Sequence, residues 1–248
     1  MTLQQIGKGA FGWVRAAYRA SDQLLAVTKF IRTGKVGLDS WVEGVAGQRV
    51  PLEVHLLQQL SHPGIVRVLD CHQNPHYVQL VMEKHGDMDL FEFIDRNPLM
   101  DEGLASLLFR QVIDAVDYLH ARQILHRDIK DENIIIDHHF TCKLIDFGSA
   151  TFFQPGQLFS TFYGTVEYCS PDVLRGNSYE GPQLELWSLG VLVSINLPQT
   201  LYYVVYLVYS CISSCSERIR FTTRRTRCGP SFTRPTTTAA RVAGSSSR

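Results

Sequence analysis

The chain has 248 residues, 45% hydrophobic and 19% charged, enough apolar material for a packed core in one large or two ordinary domains. Net charge is zero but unevenly spread: residues 217–248 hold eight Arg, no Lys and one acid, a charge of +7 against −7 on the rest. Six cysteines without a C-x-x-C pair exclude a disulfide framework and suit reduced thiols in the cytoplasm or nucleus; MTLQQIGKG, lacking a basic flank and an apolar core, is not expected to act as a secretory signal.

In chain order, the first feature is Gly7-Lys8-Gly9-Ala10-Phe11-Gly12-Trp13-Val14, which fits G-x-G-x-x-G-x-V. Such glycines let a hairpin backbone approach phosphate oxygens, and Val14 can pack on a nucleobase. Alone, the pattern describes a glycine-rich hairpin equally well. Residues 24–31 (LLAVTKFI) are β-rich and interrupted by Lys29. A lone lysine in a strand is ordinarily a solvated edge; at this distance after the glycines it reads as a phosphate contact. Residues 34–50 form a turn-rich insert with Trp41, and residues 51–60 have helical periodicity with Pro51 near the start. Glu53 on that helix is the candidate partner of Lys29. His62, in the turn that ends the helix, is expected to make a local hydrogen bond, since no second His or Cys stands at metal-ligand spacing.

Residues 78–82 read as another apolar strand, leading into Glu83-Lys84-His85-Gly86; Asp89 precedes a helix starting at Leu90. Asp101 and Glu102 open a strong amphipathic helix, their charge favourable at its positive end. Leu104, Leu107, Leu108, Val112, Ala115, Val116 and Leu119 are its expected apolar stripe. It runs into His126-Arg127-Asp128-Ile129-Lys130-Asp131-Glu132-Asn133. Residues 134–136 and 143–145 then form a hairpin ending at Asp146-Phe147-Gly148, with Cys142 as a buried small hydrophobe. Between Asp146 and Pro171 lies a loop-length segment with Ser160, Thr161 and Thr165.

The glycine pattern, residues 80–86 (LVMEKHG), 88–95 (MDLFEFID), 126–134 (HRDIKDENI), 143–150 (KLIDFGSA) and 164–177 (GTVEYCSPDVLRGN) together resemble a serine/threonine protein-kinase catalytic domain. The resemblance is to the calcium/calmodulin-kinase-like group and, within it, to the PAS-domain-containing kinases. It runs from about Gly7 to Val191, with no counterpart of a PAS sensor region. It implies an α+β, bilobal fold: a small β-rich N lobe at 1–84 and an incomplete helical C lobe at 85–193. It also implies ATP and Mg²⁺ as cofactors and protein Ser/Thr hydroxyls as acceptors.

Under this resemblance Asp128 accepts the acceptor hydroxyl's proton and orients it, and Lys130 puts positive charge near the transferring phosphoryl group. Asn133 and Asp146 supply oxygen ligands for Mg²⁺. Lys29, paired with Glu53, contacts the phosphates. Gly7, Gly9, Gly12, Val14, Ala26, Lys29, Glu83 and His85 make up the nucleotide site, the last two through their backbone, with Met82 gating the pocket. Asp89 falls where the family places an acidic ribose contact, and equally at the cap of the helix starting at Leu90. A phosphate on Thr161 would be held by Arg127. Thr165 ties the substrate pocket to the catalytic loop, and Lys130 favours Ser/Thr over Tyr acceptors.

Three departures stand out. The A-P-E motif reads Ser170-Pro171-Asp172, its acid one methylene shorter. In the D-x-W-S-x-G helix, Glu185 replaces the aspartate that braces the catalytic-loop backbone. After about Leu192 the pattern stops, so the last large-lobe helices, and the arginine that pairs with the acid at 172, have no counterpart. Residues 194–248 read as a non-family tail, fitting a translated intron or frameshifted end. Its apolar run at 201–212 is too short for a membrane span, which takes about 20 residues. Its arginines lack aromatic interleaving, so no nucleic-acid partner is expected. The missing helices are expected to uncover the Trp187 helix, a place for a covering partner. The function expected is a Ser/Thr protein kinase; the alternative is a truncated, catalytically poor fragment acting as a nucleotide- or protein-binding decoy.

Overall fold

The computed structural model describes residues 2–8, 12–44, 47–97 and 100–196. Gly9, the apolar run at 201–212 and the arginine-rich tail lie outside the described residues.

The β-rich N-terminal runs form β1 (Thr2–Lys8), β2 (Gly12–Tyr18) and β3 (Leu25–Arg32). A short hairpin, β4 (Trp41–Glu43) with β5 (Arg49–Pro51), follows within the insert expected as turns; Val50 is buried and Trp41 and Val42 pack against the core. Helix α1 (Leu52–Gln59) starts where Pro51, at φ −57°, takes the N-cap position. Next come β6 (Val68–Gln73) and β7 (Tyr77–Glu83), and the long strands make one antiparallel sheet in the order β1-β2-β3-β7-β6. Helix α1 buries Val54, Leu56 and Leu57, as an apolar helix face should, and also Glu53, which apolar packing alone does not explain.

The C lobe opens with β8 (Met88–Asp89), α2 (Leu90–Arg96) and α3 (Glu102–His120). The Leu104 N–H donates to the Asp101 side chain at 2.8 Å, which caps α3. The buried stripe of α3 is Ala105, Leu108, Phe109, Val112, Ala115, Val116 and Leu119. Leu107, expected in that stripe, is 51% exposed, and Leu104 is only half-buried. Leu107 stands one residue, about 100° around the helix, from Leu108, and Phe109 holds the inward position instead.

Then follow β9 (Ile124–Leu125), β10 (Ile134–Ile136), β11 (Cys142–Leu144), β12 (Thr151–Phe152), β13 (Leu158–Phe159), α4 (Pro171–Leu174), β14 (Tyr179–Glu180) and α5 (Gly181–Asn196). β8, β10 and β11 make a small antiparallel sheet beneath the lobe crossing at residues 84–87, and β9 pairs with β12. One buried cluster joins Ile31, Val54 and Leu80 of the N lobe to Leu108, Ile134, Leu144 and Phe147 of the C lobe. Trp187 on α5 is 45% exposed. Among the described residues no helix is long and apolar enough to cross a membrane, and Cys71, Cys142 and Cys169 are free. Cys142 is buried, which pushes its thiol up to about 12.

Candidate active site

Strand register decides which side chains meet in the cleft. Val14 pairs with Lys29 across β2 and β3, and Val27 pairs with Met82 across β3 and β7. With a side-chain period of two, Val14, Val27, Lys29 and Met82 share one face of the sheet. Ala26 does not. It points to the opposite face with Thr28, where both line a cavity of about 240 Å³ with Ala17, Gln79 and Val81. The expected nucleotide contact at Ala26 is thereby corrected: a one-residue step along a strand changes faces, and Val27 holds the cleft position. Gly7 and Gly12 flank this face at the ends of β1 and β2; a Cβ at Gly12 would stand 1.7 Å from the Phe30 carbonyl oxygen, so only glycine fits there.

Buried Glu53 is explained by Lys29. The Lys29 Nζ donates to Glu53 Oε1 at 2.5 Å and to Asp146 Oδ1 at 2.8 Å, joining β3, α1 and the turn after β11. Burial disfavours the Lys29 charge, but the Glu53 and Asp146 carboxylates outweigh it and hold the ammonium above its ordinary range. Burial likewise pushes the Asp146 carboxyl up, and Lys29 outweighs this to hold it below its ordinary value. Asp146 adopts φ 59° and ψ 77°, left-handed backbone that a non-glycine residue keeps only when its surroundings fix it. Phe147 supplies the fixing: it is 1% exposed and packs edge-on against the His126 ring at 4.8 Å.

Asp128 is clamped at both oxygens. Thr165 Oγ1 donates to Oδ1 at 2.8 Å, and Asn133 Nδ2 donates to Oδ2 at 2.9 Å and to the Asp128 carbonyl at 2.8 Å. Lys130 Nζ lies 3.9 Å from Asp128 Oδ2 and 2.7 Å from Glu132. Gly164 makes the Thr165 contact possible: its φ is +112°, and a Cβ there would stand 2.3 Å from the Arg127 carbonyl oxygen. Arg127 itself has φ 64°.

Glu185 does the bracing expected of an aspartate. Its Oε1 accepts the Arg127 N–H at 2.6 Å, and its Oε2 lies 2.5 Å from His120 Nε2. The longer side chain thus reaches two partners, one of which, His120, the sequence did not single out. Asp172 accepts from Asn177 Nδ2 at 3.3 Å within its own turn. The Arg127 guanidinium donates from Nε to the Ser149 carbonyl at 2.6 Å and lies 4.1 Å over the Tyr163 ring. The Thr161 carbonyl accepts from the Tyr179 hydroxyl at 2.8 Å.

At the lobe crossing, the His85 ring nitrogen lies 2.8 Å from the Thr141 carbonyl, and the Glu83 carboxylate meets Lys143 and Arg67. Asp89 accepts the Glu92 N–H at 2.8 Å and caps α2.

The donor set suits a magnesium nucleotide. With the Asn133 Nδ2 hydrogens committed to Asp128, its amide oxygen is the atom that could face a cation, and Asp146 could add carboxylate oxygen. Among the described residues no group of three or more His, Cys, Asp or Glu could hold a metal alone. Two hard oxygen donors without a protein cage fit an ion that draws its other ligands from phosphates and water.

Comparison with known proteins agrees with this arrangement. The model of the protein kinase domain matches residues 1–207. The PAS domain-containing serine/threonine-protein kinase of Mus musculus is 52% identical over 206 residues, 83% of this chain and 14% of the mouse protein. The serine/threonine-protein kinase PSK1 of Saccharomyces cerevisiae is 36% identical over 78% of this chain and 15% of its own length. The human NUAK family SNF1-like kinase 2 is 34% identical over 78% of this chain and 30% of its own length. The chain therefore spans only a small part of the curated relatives it matches. It belongs to the protein kinase domain family, and its motifs resemble those of the PAS domain-containing serine/threonine-protein kinase.

Proposed function

We propose that the chain is an ATP-dependent protein kinase that phosphorylates serine and threonine hydroxyls of protein substrates. The observation that carries this reading is the double clamp on Asp128 beside the Lys29–Glu53–Asp146 chain of charge. Bound Mg·ATP supplies the transferable phosphoryl group and the metal charge that offsets its oxygens. Lys29, held by Glu53, presents its ammonium to phosphate oxygens. Asn133 and Asp146 present oxygens to the metal. Asp128, fixed by Thr165 and Asn133, orients the acceptor hydroxyl and takes its proton, while Lys130 contributes positive charge alongside. These groups act by position and electrostatics, with no covalent intermediate on the protein.

Gly7, Gly9, Gly12, Val14 and Val27 enclose the nucleotide in this reading, with the backbone of Glu83 and His85 at the adenine edge and Asp89 near the ribose. The catalytic unit divides into an N lobe at 1–84 and a C lobe from 85, with the family match running on to residue 207. Thr161 is the phosphorylation site within the activation segment, and a protein partner covers the half-exposed Trp187 face. Free cysteines suit a reducing compartment, cytoplasm or nucleus. The named relatives are kinases, and none supports the decoy reading.

Phosphoamino-acid analysis of a protein substrate mixture incubated with the chain and Mg·ATP tests the acceptor class. Phosphoserine and phosphothreonine are expected; phosphotyrosine as the main product would overturn the Ser/Thr assignment.

A further inference from the structure

The face of the N-lobe sheet turned away from the cleft carries features that the kinase reading leaves unused. Along β2, Trp13, Arg15 and Ala17 alternate with Val14 and point to that face. Their partners across β3 are Phe30, Thr28 and Ala26, and Thr28 is paired in turn with Val81 on β7. At one end lies the cavity of about 240 Å³, lined by Ala17, Ala26, Thr28 and Val81 and bordered by Asp70 and His72. At the other end Trp13 stacks on Phe30 at 5.1 Å and meets Tyr77 edge-on at 5.1 Å, and the Arg32 guanidinium lies 5.4 Å over the Trp13 ring. Arg15 stands between the two.

The Arg15 Nε is buried and has no hydrogen-bond partner among the described residues. A guanidinium is always charged, and a buried donor on it without an acceptor calls for a partner from outside the chain. The carboxylates beside the cavity are already engaged. Asp70 accepts the Cys71 N–H at 2.8 Å and lies 3.1 Å from His72 Nε2, and Asp22 accepts from Arg19 Nε at 2.9 Å. A carboxylate from a second molecule can take Nε and a neighbouring Nη of Arg15 side by side, the strong bidentate arrangement.

Size and spacing say what carries that carboxylate. The cavity is smaller than the roughly 300–1,000 Å³ of sites that enclose a whole drug-sized ligand. Residues 13 and 17 are about 13 Å apart along β2, farther than a single-ring acid reaches. An extended peptide places alternate side chains about 7 Å apart, the spacing of residues 13, 15 and 17. We infer that this outer face docks a short acidic peptide segment of a partner protein. An apolar side chain fills the cavity, an Asp or Glu two residues away binds Arg15, and an aromatic side chain two residues beyond packs on Trp13 and Arg32. The site lies opposite the nucleotide face and does not depend on the kinase reading.

The test probes arrayed pentapeptides of the form apolar–Asn–Glu–Asn–aromatic with the full chain, beside the same peptides with Lys in place of Glu. Only Phe or Trp ends them, so none carries a hydroxyl acceptor. The best binder is then dye-labelled and its affinity read by anisotropy. Glu peptides should bind and their Lys counterparts should not. Arg15→Met should weaken the best binder about tenfold or more. Arg15→Lys, which keeps the charge but loses the planar fork, should recover only part of this. Ala26→Met, which fills the cavity, should weaken binding by about tenfold as well. If Arg15→Met fails to fold, Ala26→Met carries the test.

Glu peptides that bind no better than Lys peptides, or an affinity unchanged in both Arg15→Met and Ala26→Met, would overturn the inference. Phenylacetate binding that is lost in Arg15→Met, with no peptide bound, would assign a free small acid to the face and overturn it too. So would self-association of the parent abolished by Arg15→Met, which would put a second copy there. A parent that binds the peptide but transfers no phosphate sinks the kinase reading alone.

Discussion

Arg127 and Glu185 are 58 residues apart in the chain, yet the Arg127 N–H donates to Glu185 Oε1 across 2.6 Å. The bond fixes the backbone next to Asp128, at a residue whose φ of 64° needs support. His120 takes the other carboxylate oxygen at 2.5 Å, and the glutamate is only 2% exposed. Glu185→Ala would leave the part-buried Arg127 N–H without this acceptor and remove the contact to His120, and should cost about 3 kcal/mol, read by chemical denaturation. Glu185→Asp, which keeps the charge, should cost less than half of that. Equal losses would mean the methylene, not the acceptor, matters.

Lys29 bridges two carboxylates, Glu53 and Asp146. Lys29→Met should lower kcat/KM about 10²-fold or more, as expected when a preorganised charge at a reacting phosphate is removed. The same variant should lose the melting-temperature rise that Mg·ATP gives the parent. An undiminished rise would show that nucleotide binds elsewhere.

Thr165 has a narrower task. It holds one oxygen of Asp128, so Thr165→Val should lower kcat about 10- to 100-fold while leaving the ATP KM within about twofold. Thr165→Ser, which keeps the hydroxyl, should recover most of the loss. A raised ATP KM instead would assign Thr165 to nucleotide binding.

The strand register predicts different outcomes at neighbouring positions. Val27→Phe should block the cleft and abolish detectable ATP binding in calorimetry, whereas Ala26→Ser, on the far face of the sheet, should leave ATP affinity within about twofold of the parent, the range expected of a small change away from a site. The reverse pattern would contradict the register.

Acid should weaken the fold through Asp146 and Glu83. Both carboxyls sit below their ordinary values in the folded chain, so the unfolded chain takes up protons first as pH falls. The stability they contribute is whole above about pH 4, where unfolded carboxyls are ionised, and is lost as pH drops toward the folded values. Melting temperatures between pH 7 and pH 3 should fall less steeply in Lys143→Met, which lacks the ammonium that holds Glu83 down. An identical profile would deny Lys143 that role.

Much of the site was legible because its residues are close in sequence. Asp128, Lys130 and Asn133 stand within six positions, and local geometry carries them to one place. The Lys29–Glu53 pair was legible because a lysine in an apolar strand and a glutamate on the buried side of a helix call for each other. Ala26 was misplaced because a strand changes faces at every residue, and composition does not give the phase. Leu107 failed similarly, through the phase of a helix whose apolar residues exceed one stripe. His120 with Glu185 and Lys143 with Glu83 were invisible: they join residues 65 and 60 positions apart through packing that no local pattern records.

The most direct test is transfer of labelled γ-phosphate from Mg·ATP to the chain itself or to a generic basic peptide, beside an Asp128→Asn control. Transfer by the parent that falls by orders of magnitude in the control is predicted, since the amide cannot take the acceptor's proton. Soluble, nucleotide-binding parent protein that transfers no phosphate, or transfer that survives in Asp128→Asn, would contradict the account.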